Sequence, residues 1–517
     1  MQVHSYFVSE IRAEPITIEF SARFQIPGFQ ILGLPAPEIQ EARERIMSAF
    51  QASSLEFPQK RVLVNLAPAS VRKSGTGHDL AIALKILSEN LSRDWPERIF
   101  ARGELGLDGA IRPGGKMAHL IDLLLSLAEA PTDPGPVVVL GPEDHHEFLR
   151  LLSWRRKQGL RTPRLQGLAR VVHLADLPDQ LEQIFHPLSL NPEPDLGDGA
   201  TDSRAAHEGP PLSLLPLTAA QERIVKIASI GRHHCLILGP KGVGKSVSLD
   251  WFKALAAPLD PLSAWERALF SETRSEPPCF EAPIRQVHSQ VRPAHLLGSF
   301  RDGFRAGELS LAHGGMLFAD EFPEWPRDAK ECLREPLQRE QVRITRVRGT
   351  FEAKCDLQLI ASGNLCPCGG IPALFRSLTS NRKASCRCPD SEVRKYLARL
   401  SGPILDRIDM IALFSSSEPP SAPRSTPTAS TLQDEVSEAR EWWRRRHSKP
   451  PSKLSPRELE KLIDPSPPLR LLLSEIQSLR SRHKLMRVAC SISALEKSEE
   501  VKEAHLLEAK TYRFLDY

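Results

Sequence analysis

Gly239-Pro240-Lys241-Gly242-Val243-Gly244-Lys245-Ser246 is the stretch that decides the fold of this chain, and the apolar run Cys235-Leu236-Ile237-Leu238 stands directly before it. An apolar run followed by the pattern G-x-x-x-x-G-K-[ST] predicts a buried parallel strand, a phosphate-binding loop and a helix that starts at the loop. Successive backbone N–H groups of such a loop cradle the β and γ phosphates, while Lys245 neutralises charge and the Ser246 hydroxyl reaches Mg²⁺. The sequence therefore predicts an α/β fold that binds a nucleoside triphosphate.

A second motif indicates that the triphosphate is hydrolysed. Met316-Leu317-Phe318-Ala319 is a short apolar run that ends in Asp320-Glu321. Asp320 is expected to hold Mg²⁺ through water, and Glu321 to orient and deprotonate the attacking water. An acidic pair at a strand end can also be a solvated terminus, but the phosphate loop upstream favours hydrolysis. We expect ATP and Mg²⁺ as cofactors.

Two further residues complete the predicted catalytic set. The apolar run Leu357-Gln358-Leu359-Ile360-Ala361 leads to Asn364, whose amide can polarise the attacking water or contact the γ phosphate. Arg407 carries a planar guanidinium that suits a developing phosphoryl charge, a role often filled from a neighbouring subunit. The alternative for Arg407 is an ion pair with Asp406 or Asp409.

These motifs, in this order, resemble the magnesium-chelatase-like group of AAA+ ATPases, and within it the bacterial ComM/YifB family. Other stretches that carry the resemblance are Gly33-Leu34-Pro35, Glu41-Ala42-Arg43-Glu44-Arg45, Val64-Asn65-Leu66-Ala67-Pro68, Gly103-Glu104-Leu105-Gly106-Leu107-Asp108-Gly109, Gly307-Glu308-Leu309-Ser310-Leu311-Ala312-His313, Leu333-Arg334-Glu335-Pro336-Leu337, Cys366-Pro367-Cys368-Gly369 and Arg399-Leu400-Ser401-Gly402-Pro403-Ile404-Leu405-Asp406-Arg407-Ile408-Asp409. The resemblance covers nearly the whole chain. It implies an α/β P-loop AAA+ core with a helical lid, preceded by an α+β Lon-protease-like domain.

The domain boundaries follow from this resemblance and from composition. Residues 187–212 and 415–432 are polar and rich in Pro and Ser, and are predicted to be linkers because they cannot bury enough apolar surface to order themselves. The predicted domains are the Lon-protease-like domain (1–186), the AAA+ core (213–414) and the helical lid (433–517).

The Lon-protease-like domain is predicted to be non-proteolytic. Lon-type proteases place a serine in the turn before the helix that starts here near Asp79, and the comparable residue in this chain is Gly77. Ser74 is an alternative nucleophile, against the simpler interpretation of a solvated turn serine.

The resemblance also implies a function, namely an ATP-driven ring, a hexamer, that acts on DNA as a helicase in branch migration during recombination or natural transformation. By analogy within AAA+ proteins, Arg480 fits the second sensor arginine of the lid, with Arg487 as the other candidate. Residues Gln341–Arg346 and Thr350–Ala353 are predicted to form a hairpin in the ring's pore. The alternative is a chelatase-like or protein-remodelling ATPase whose partner is another protein.

Charge confines nucleic-acid binding to local clusters, because 68 Lys and Arg against 64 Asp and Glu leave a net charge of only +4. The basic clusters are Arg343, Arg346 and Arg348 on the hairpin, Arg382 with Lys383, and the segment Trp442-Trp443-Arg444-Arg445-Arg446-His447. Each cluster either contacts phosphates or is a solvated face held by ion pairs.

The remaining predictions concern the cell compartment and a second metal. No run approaches the ~20 apolar residues that span a bilayer, so no membrane contact and a cytoplasmic location are expected. Cys366, Cys368, Cys386 and Cys388 form two Cys-x-Cys pairs around a polar, basic loop. They are candidates for a structural Zn²⁺ site, with free buried thiols as the alternative.

Overall fold

A computed structural model of the chain describes residues 1–9, 11–33, 36–69, 73, 76–91, 95–128, 135–184, 217–300, 304–346, 349–378, 386–414, 429–463, 473–474, 476 and 478–515. The chain folds into two compact units. The first comprises Met1–Ala200, Ala268–Cys279 and Phe300–Arg305, and the second comprises Thr201–Arg267, Phe280–Ser299 and Ala306–Tyr517.

The first unit is built on a mixed sheet flanked by helices. Its strands are β1 (Gln2–Ser9), β2 (Arg12–Arg23), β3 (Gly28–Leu32), β4 (Arg61–Ala67), β5 (Arg98–Arg102), β6 (Glu104–Leu105), β7 (Ile111–Arg112), β8 (Val137–Leu140) and β9 (Gly167–Arg170). Its helices are α1 (Pro37–Ala52), α2 (Asp79–Asn90), α3 (Met117–Ser126), α4 (Pro142–Lys157) and α5 (Leu177–Ile184). The seven-stranded sheet has the order β3-β4-β2-β1-β5-β8-β9, in which β2 is antiparallel to both β1 and β4.

Helix α2 forms the centre of this unit's core. Most of its residues from Asp79 to Leu87 are buried, which fits the apolar periodicity of that stretch. The Lon-protease-like assignment of residues 1–186 stays a prediction, and Ser74 and the linker at 187–212 lie outside the described residues.

From residue 217 onward the chain alternates short strands with helices. The strands are β10 (Cys235–Leu238), β11 (Ile284–Val287), β12 (Gly298–Phe300), β13 (Phe304–Ala306), β14 (Met316–Ala319), β15 (Gln341–Arg346), β16 (Gly349–Lys354), β17 (Gln358–Gly363) and β18 (Met410–Leu413). The helices are α6 (Ala219–Gly231), α7 (Lys245–Ala254), α8 (Pro261–Thr273), α9 (Pro293–Leu297), α10 (Glu308–Leu311), α11 (Arg327–Glu331), α12 (Pro336–Arg339), α13 (Asp390–Leu397), α14 (Gly402–Leu405), α15 (Ala429–Arg444), α16 (Pro456–Leu462), α17 (Leu479–Leu495) and α18 (Glu503–Thr511).

The central sheet of the second unit has the order β11-β14-β17-β10-β18, and every neighbouring pair is parallel. Strands β10, β14 and β17 are buried along their whole length, as expected where helices cover both faces of a parallel sheet. This arrangement confirms the predicted P-loop α/β core. Since parallel strands end at the same edge, the segments after β10, β14 and β17 meet there.

The carboxyl-terminal helices share one apolar core with the sheet. On α15 the buried residues Leu432, Val436, Ala439 and Trp443 follow a helical spacing and pack into that core. The helix therefore begins inside the segment 415–432 that composition predicted as a linker, because burial of Leu432 favours extending the helix back to Ala429. Among the described residues, no helix is long and apolar enough to cross a membrane.

Candidate nucleotide-binding site

The phosphate loop after β10 has positive φ values at two of its glycines. Gly242 and Gly244 have φ values of +76° and +90°, a region in which a side chain is strained. Helix α7 begins at Lys245, directly after the loop. The loop therefore presents its backbone at a helix N-terminus, where N–H groups without an intrahelical partner can receive phosphate oxygens.

Neighbouring segments hold this loop in place. The N–H of Gly239 donates to the carbonyl of Gly363 over 3.2 Å, and the N–H of Lys241 donates to the carbonyl of Gly369 over 3.0 Å. The Gln221 side chain, from the first turn of α6, donates to the carbonyl of Val243 over 3.1 Å. Gly363 and Gly369 are contacts that the sequence alone did not identify, because their role depends on β17 lying beside β10.

Lys245 is folded back over the loop. Its Nζ donates to the carbonyls of Gly239 and Pro240 over 2.7 and 2.8 Å and to Oδ1 of Asn364 over 3.1 Å. Burial lowers the pKa of Lys245 to about 8, and the nearby Asp320 carboxylate opposes that shift. The structure thus brings together the predicted phosphate-loop lysine and the predicted polar residue after β17.

Asp320 follows β14 at the same edge. Its Oδ1 accepts a hydrogen bond from Ser362 Oγ over 2.5 Å, so a hydroxyl on β17 orients the carboxylate. Sequence analysis missed Ser362, because every residue of β17 is buried and no alternation along the strand singles out this serine. Ser246 is exposed at the first turn of α7, as a hydroxyl ligand for a metal needs to be.

Glu321 is exposed, and its backbone has φ of +48°, a left-handed conformation that is uncommon for a residue with a side chain. Its Oε2 accepts a hydrogen bond from Ser289 Oγ over 3.3 Å. Such strained residues cluster at functional sites, where the surrounding structure holds them in place. Glu321 is thus accessible, oriented by a neighbour, and next to Asp320.

Arg407 lies near the amino ends of the parallel strands, whereas the phosphate loop lies at their carboxyl ends. It precedes β18, and the N–H of Asp409 donates to the carbonyl of His234 just before β10. The guanidinium donates to the carbonyls of Arg334 and Pro403 and to the side-chain oxygen of Gln338. The hydrogen bonds of Arg407 thus go to neutral oxygens, and neither Asp406 nor Asp409 accepts one of them.

The two candidate sensor arginines lie near Arg407. Arg480, Arg487 and Arg407 line one cavity of about 350 Å³. Arg480 is largely exposed, with its Nη1 3.9 Å from Oδ2 of Asp406. Arg487 instead donates to the carbonyl of Leu454 over 2.8 Å. The more accessible guanidinium is therefore that of Arg480.

The predicted hairpin forms from β15 and β16, with Val342 opposite Ala353. Arg343 lies 3.5 Å from Glu352 on the opposite strand, and both side chains are about half exposed. The side chain of Arg346, and the residues Arg348, Arg382 and Lys383, lie outside what the structure describes.

The basic segment Trp442–His447 covers the end of α15 and the residues just after it, and several of its side chains have local partners. Trp443 is buried and donates from Nε1 to the carbonyl of Lys449, Arg446 stacks on Trp442 at 4.1 Å, and Arg445 pairs with Glu441. The interpretation as a solvated face held by ion pairs fits this segment.

The four clustered cysteines converge beside the phosphate loop. The Sγ atoms of Cys366, Cys368, Cys386 and Cys388 all lie within 4.8 Å of one another. Cys366 and Cys368 are 3.2 Å apart, and Cys386 lies 3.4 Å from Cys368 and 3.3 Å from Cys366. Four thiols at such distances can surround one metal ion, and both the zinc site and its alternative of free thiols stay predictions.

Three parts of the chain match protein families, and all three families are described as subunit ChlI of magnesium chelatase. Residues 217–420 match the family described as magnesium chelatase, subunit ChlI. Residues 18–129 match the family of subunit ChlI of Mg-chelatase, and residues 426–513 match the carboxyl-terminal part of that subunit. The phosphate loop, both acidic residues, Asn364 and Arg407 all lie within the first of these ranges.

Curated relatives match over almost the full length. YifB of Salmonella typhimurium is 30% identical, with 99% of this chain and 97% of that protein covered. YifB of Escherichia coli and the competence protein ComM of Haemophilus influenzae are each 28% identical over the same shares of the two chains.

Proposed function

The chain belongs to the magnesium-chelatase-like family that includes YifB and ComM, and we propose that it is an ATP-hydrolysing AAA+ motor that forms a ring and acts on DNA. The observation that carries the proposal is the meeting of three polar groups at one sheet edge. Lys245, Asp320 and Asn364 come from three neighbouring strands, and a hydrogen bond joins Lys245 to Asn364. This arrangement fits a bound triphosphate whose terminal phosphate lies near Glu321, the proposed base next to Asp320.

The residues at this edge fit Mg²⁺ as well as ATP. Ser246 offers an exposed hydroxyl, and the Asp320 carboxylate keeps an oxygen that Ser362 does not use. Bound Mg²⁺ neutralises charge on the phosphate oxygens. Glu321 would take the proton of the attacking water, and Asn364 would orient the water or the γ phosphate.

The position of Arg407 supports a ring. Arg407 and Arg480 lie at the amino edge of β18, whereas the phosphate loop follows the carboxyl end of β10. Strands β10 and β18 have four residues each, so the amino and carboxyl ends of the strands are about 13 Å apart. Arg407 is therefore out of reach of a phosphate bound in its own subunit. We propose that both arginines contact the triphosphate of a neighbouring subunit, with a hexamer as the expected ring.

DNA is the proposed substrate because two features favour it. A ring repeats the β15–β16 hairpin around its pore, so that Arg343 would recur once per subunit and meet backbone phosphates. In addition, the chain resembles ComM, which is named a competence protein. The proposed activity is helicase action or branch migration in recombination or natural transformation.

A second candidate is a motor whose partner is another protein, since the matching family is described as a subunit of magnesium chelatase. The Arg343–Glu352 pair keeps this alternative open, because the pair reduces the positive charge that Arg343 offers. The deciding experiment measures the ATPase rate with forked, four-way and single-stranded DNA across a range of salt. Stimulation that fades with salt supports DNA, whereas a rate indifferent to all three DNAs supports a protein partner.

We also propose Zn²⁺ as a structural metal bound by Cys366, Cys368, Cys386 and Cys388. Tetrahedral sites of four thiolates are typical of structural zinc, and Zn–S bonds of about 2.3 Å place the sulfurs about 3.8 Å apart. The sulfur distances of 3.2–3.4 Å are close to that spacing.

A further inference from the structure

The first cysteine pair lies between two contacts to the phosphate loop. Asn364, two residues before Cys366, accepts the hydrogen bond of Lys245. Gly369, the residue after Cys368, accepts the hydrogen bond of the Lys241 N–H over 3.0 Å. The segment from Asn364 to Gly369 therefore holds the phosphate loop at both ends.

The backbone at Gly369 lies close to Lys241. Gly369 has φ of +79°, and a Cβ at this position would lie 2.7 Å from the side-chain carbons Cγ and Cε of Lys241. The backbone of the cysteine loop thus touches the phosphate loop directly. A shift of Cys368 would move Gly369 and remove the hydrogen bond to Lys241.

The second cysteine pair reaches this segment across a long gap in sequence. The N–H of Cys386 donates to the carbonyl of Ile371 over 3.0 Å, and the N–H of Cys388 donates to Sγ of Cys386 over 3.2 Å. Backbone N–H groups directed at sulfur stabilise a thiolate that binds a metal. Without a metal, no metal–sulfur bonds tie the second cysteine pair to the first, and the loop is free to relax apart.

We propose that zinc at the four cysteines sets the affinity of the neighbouring site for nucleotide, by fixing Gly369 against Lys241. The inference rests on the proposed function, because it takes the phosphate loop to be a nucleotide site. It adds that zinc and nucleotide binding are thermodynamically coupled. By linkage, a nucleotide must then tighten zinc binding by the same factor as zinc tightens nucleotide binding.

The first test uses the full-length protein and the double variant Cys386→Ser/Cys388→Ser, under reducing conditions. We expect elemental analysis to find one zinc per parent chain and none per variant chain. The variant should bind a fluorescent ATP analogue about fivefold more weakly, on the order of one lost net hydrogen bond. Cys279→Ser, which changes an exposed cysteine outside the cluster, should keep both zinc and parent affinity.

The second test needs no variant and so stands if the double variant does not fold. Zinc is withdrawn from the parent protein by a graded excess of chelator, with and without a non-hydrolysable ATP analogue. The analogue should raise the chelator concentration needed for half removal by about the same fivefold factor. Added Zn²⁺ should restore nucleotide affinity to the stripped protein.

The outcomes separate this inference from the proposed function. Stoichiometric zinc together with unchanged nucleotide affinity after its removal would overturn the coupling while leaving the ATPase proposal intact. A parent protein without zinc, or one containing iron with visible absorption of a cluster, would overturn the zinc site itself. A protein that holds zinc but binds no nucleotide would overturn the proposed function, and the coupling with it.

Discussion

The Nζ of Lys245 lies 3.1 Å from Oδ1 of Asn364, although the two residues are 119 positions apart in the sequence. The contact joins the phosphate loop to the end of the adjacent strand β17. It places a cation and a neutral amide where the terminal phosphate of a bound nucleotide is expected. The fold itself thus holds together two of the residues that we propose act on the triphosphate.

Nucleotide affinity should fall at alkaline pH because of Lys245. Burial lowers the pKa of this lysine to about 8, whereas a bound triphosphate favours the charged form. Below pH 8 the lysine is already charged, so its titration does not change the affinity for nucleotide. Above pH 8 the lysine is increasingly neutral, and nucleotide binding must take up a proton. The dissociation constant of an ATP analogue should rise from pH 8 upward, by up to about tenfold per pH unit.

The matched variant for this pH dependence is Lys245→Arg, whose guanidinium stays charged throughout the range. Its affinity will be weaker, but its profile should be flat between pH 7 and pH 9.5. A flat profile for the parent protein would show that Lys245 is fully charged in the free state.

Glu321→Gln should bind ATP with nearly parent affinity and lose turnover. The amide keeps the size of the side chain and can still contact Ser289, but it cannot take the proton of water. We expect a decrease in the ATPase rate of about 10²–10⁴-fold. Glu324→Gln is the control, since Glu324 lies one turn further on and pairs with Arg399 at the surface; equal rates for Glu321→Gln and the parent would remove Glu321 from its role.

Arg407→Ala should lower turnover about 10³-fold, the scale of a lost arginine finger. Mixing it with Glu321→Gln tests whether the finger acts between subunits. In an equal mixture roughly a quarter of the interfaces combine an intact Glu321 with an intact Arg407, so activity should return to a level above that of either variant alone. Arg339→Ala, a surface residue paired with Glu335, serves as control. A mixture as inactive as its components would contradict the trans geometry.

Arg343→Ala should reduce the ratio of DNA-stimulated to basal ATPase rate. Each lost phosphate contact also lowers the steepness of the salt dependence, by about 0.7 to 0.9 in the log–log slope. Arg445→Ala likewise removes an exposed arginine that is paired with a glutamate, but Arg445 lies just after α15, and the variant should leave both quantities as in the parent. If the two variants behave alike, the hairpin is not the DNA contact.

Acidification should destabilise the second unit through His234. The N–H of Leu359 donates to Nδ1 of His234 over 3.1 Å, so that nitrogen carries no proton, and burial lowers the pKa of the imidazole to about 4. The unfolded chain protonates this histidine near pH 6.5 and the folded chain does not. Stability is therefore full above pH 6.5 and falls as pH drops toward 4, by about 2 kcal/mol at pH 5.

Urea unfolding of the parent and of His234→Asn between pH 5 and pH 7 checks this effect. Asparagine can still accept the Leu359 N–H but does not titrate, so the loss of stability on acidification should shrink by about that amount. His295→Gln, at an exposed position, should show the parent's dependence. An unchanged dependence in His234→Asn would place the acid sensitivity elsewhere.

Local patterns predicted much of the site. The glycines of the phosphate loop, the apolar run before it and the acidic pair after the Met316–Ala319 run each have a fixed spacing, so they were recognised from short stretches alone. The hairpin was likewise predicted from two short strands with Gly349 near the turn, and in the structure Gly349 begins β16 and pairs with Arg346.

What depends on distant segments could not be predicted. Ser362 and Gly369 act through contacts with Asp320 and Lys241, and their own neighbours in sequence give no sign of these partners. Neither Asp406 nor Asp409 accepts a hydrogen bond from Arg407, which donates to the carbonyl of Pro403 nearby in sequence and to oxygens of Arg334 and Gln338, about seventy positions away.

The sequence by itself determined the phosphate loop and the acidic pair, because both are continuous stretches whose residue types and spacing prescribe their conformation. Only the tertiary structure decided which groups share a site. The order of the parallel strands brings Lys245, Asp320 and Asn364 to one edge and leaves Arg407 at the other. That order is set by burial of the strands on both faces of the sheet, an energy that depends on the whole core and that no short stretch records.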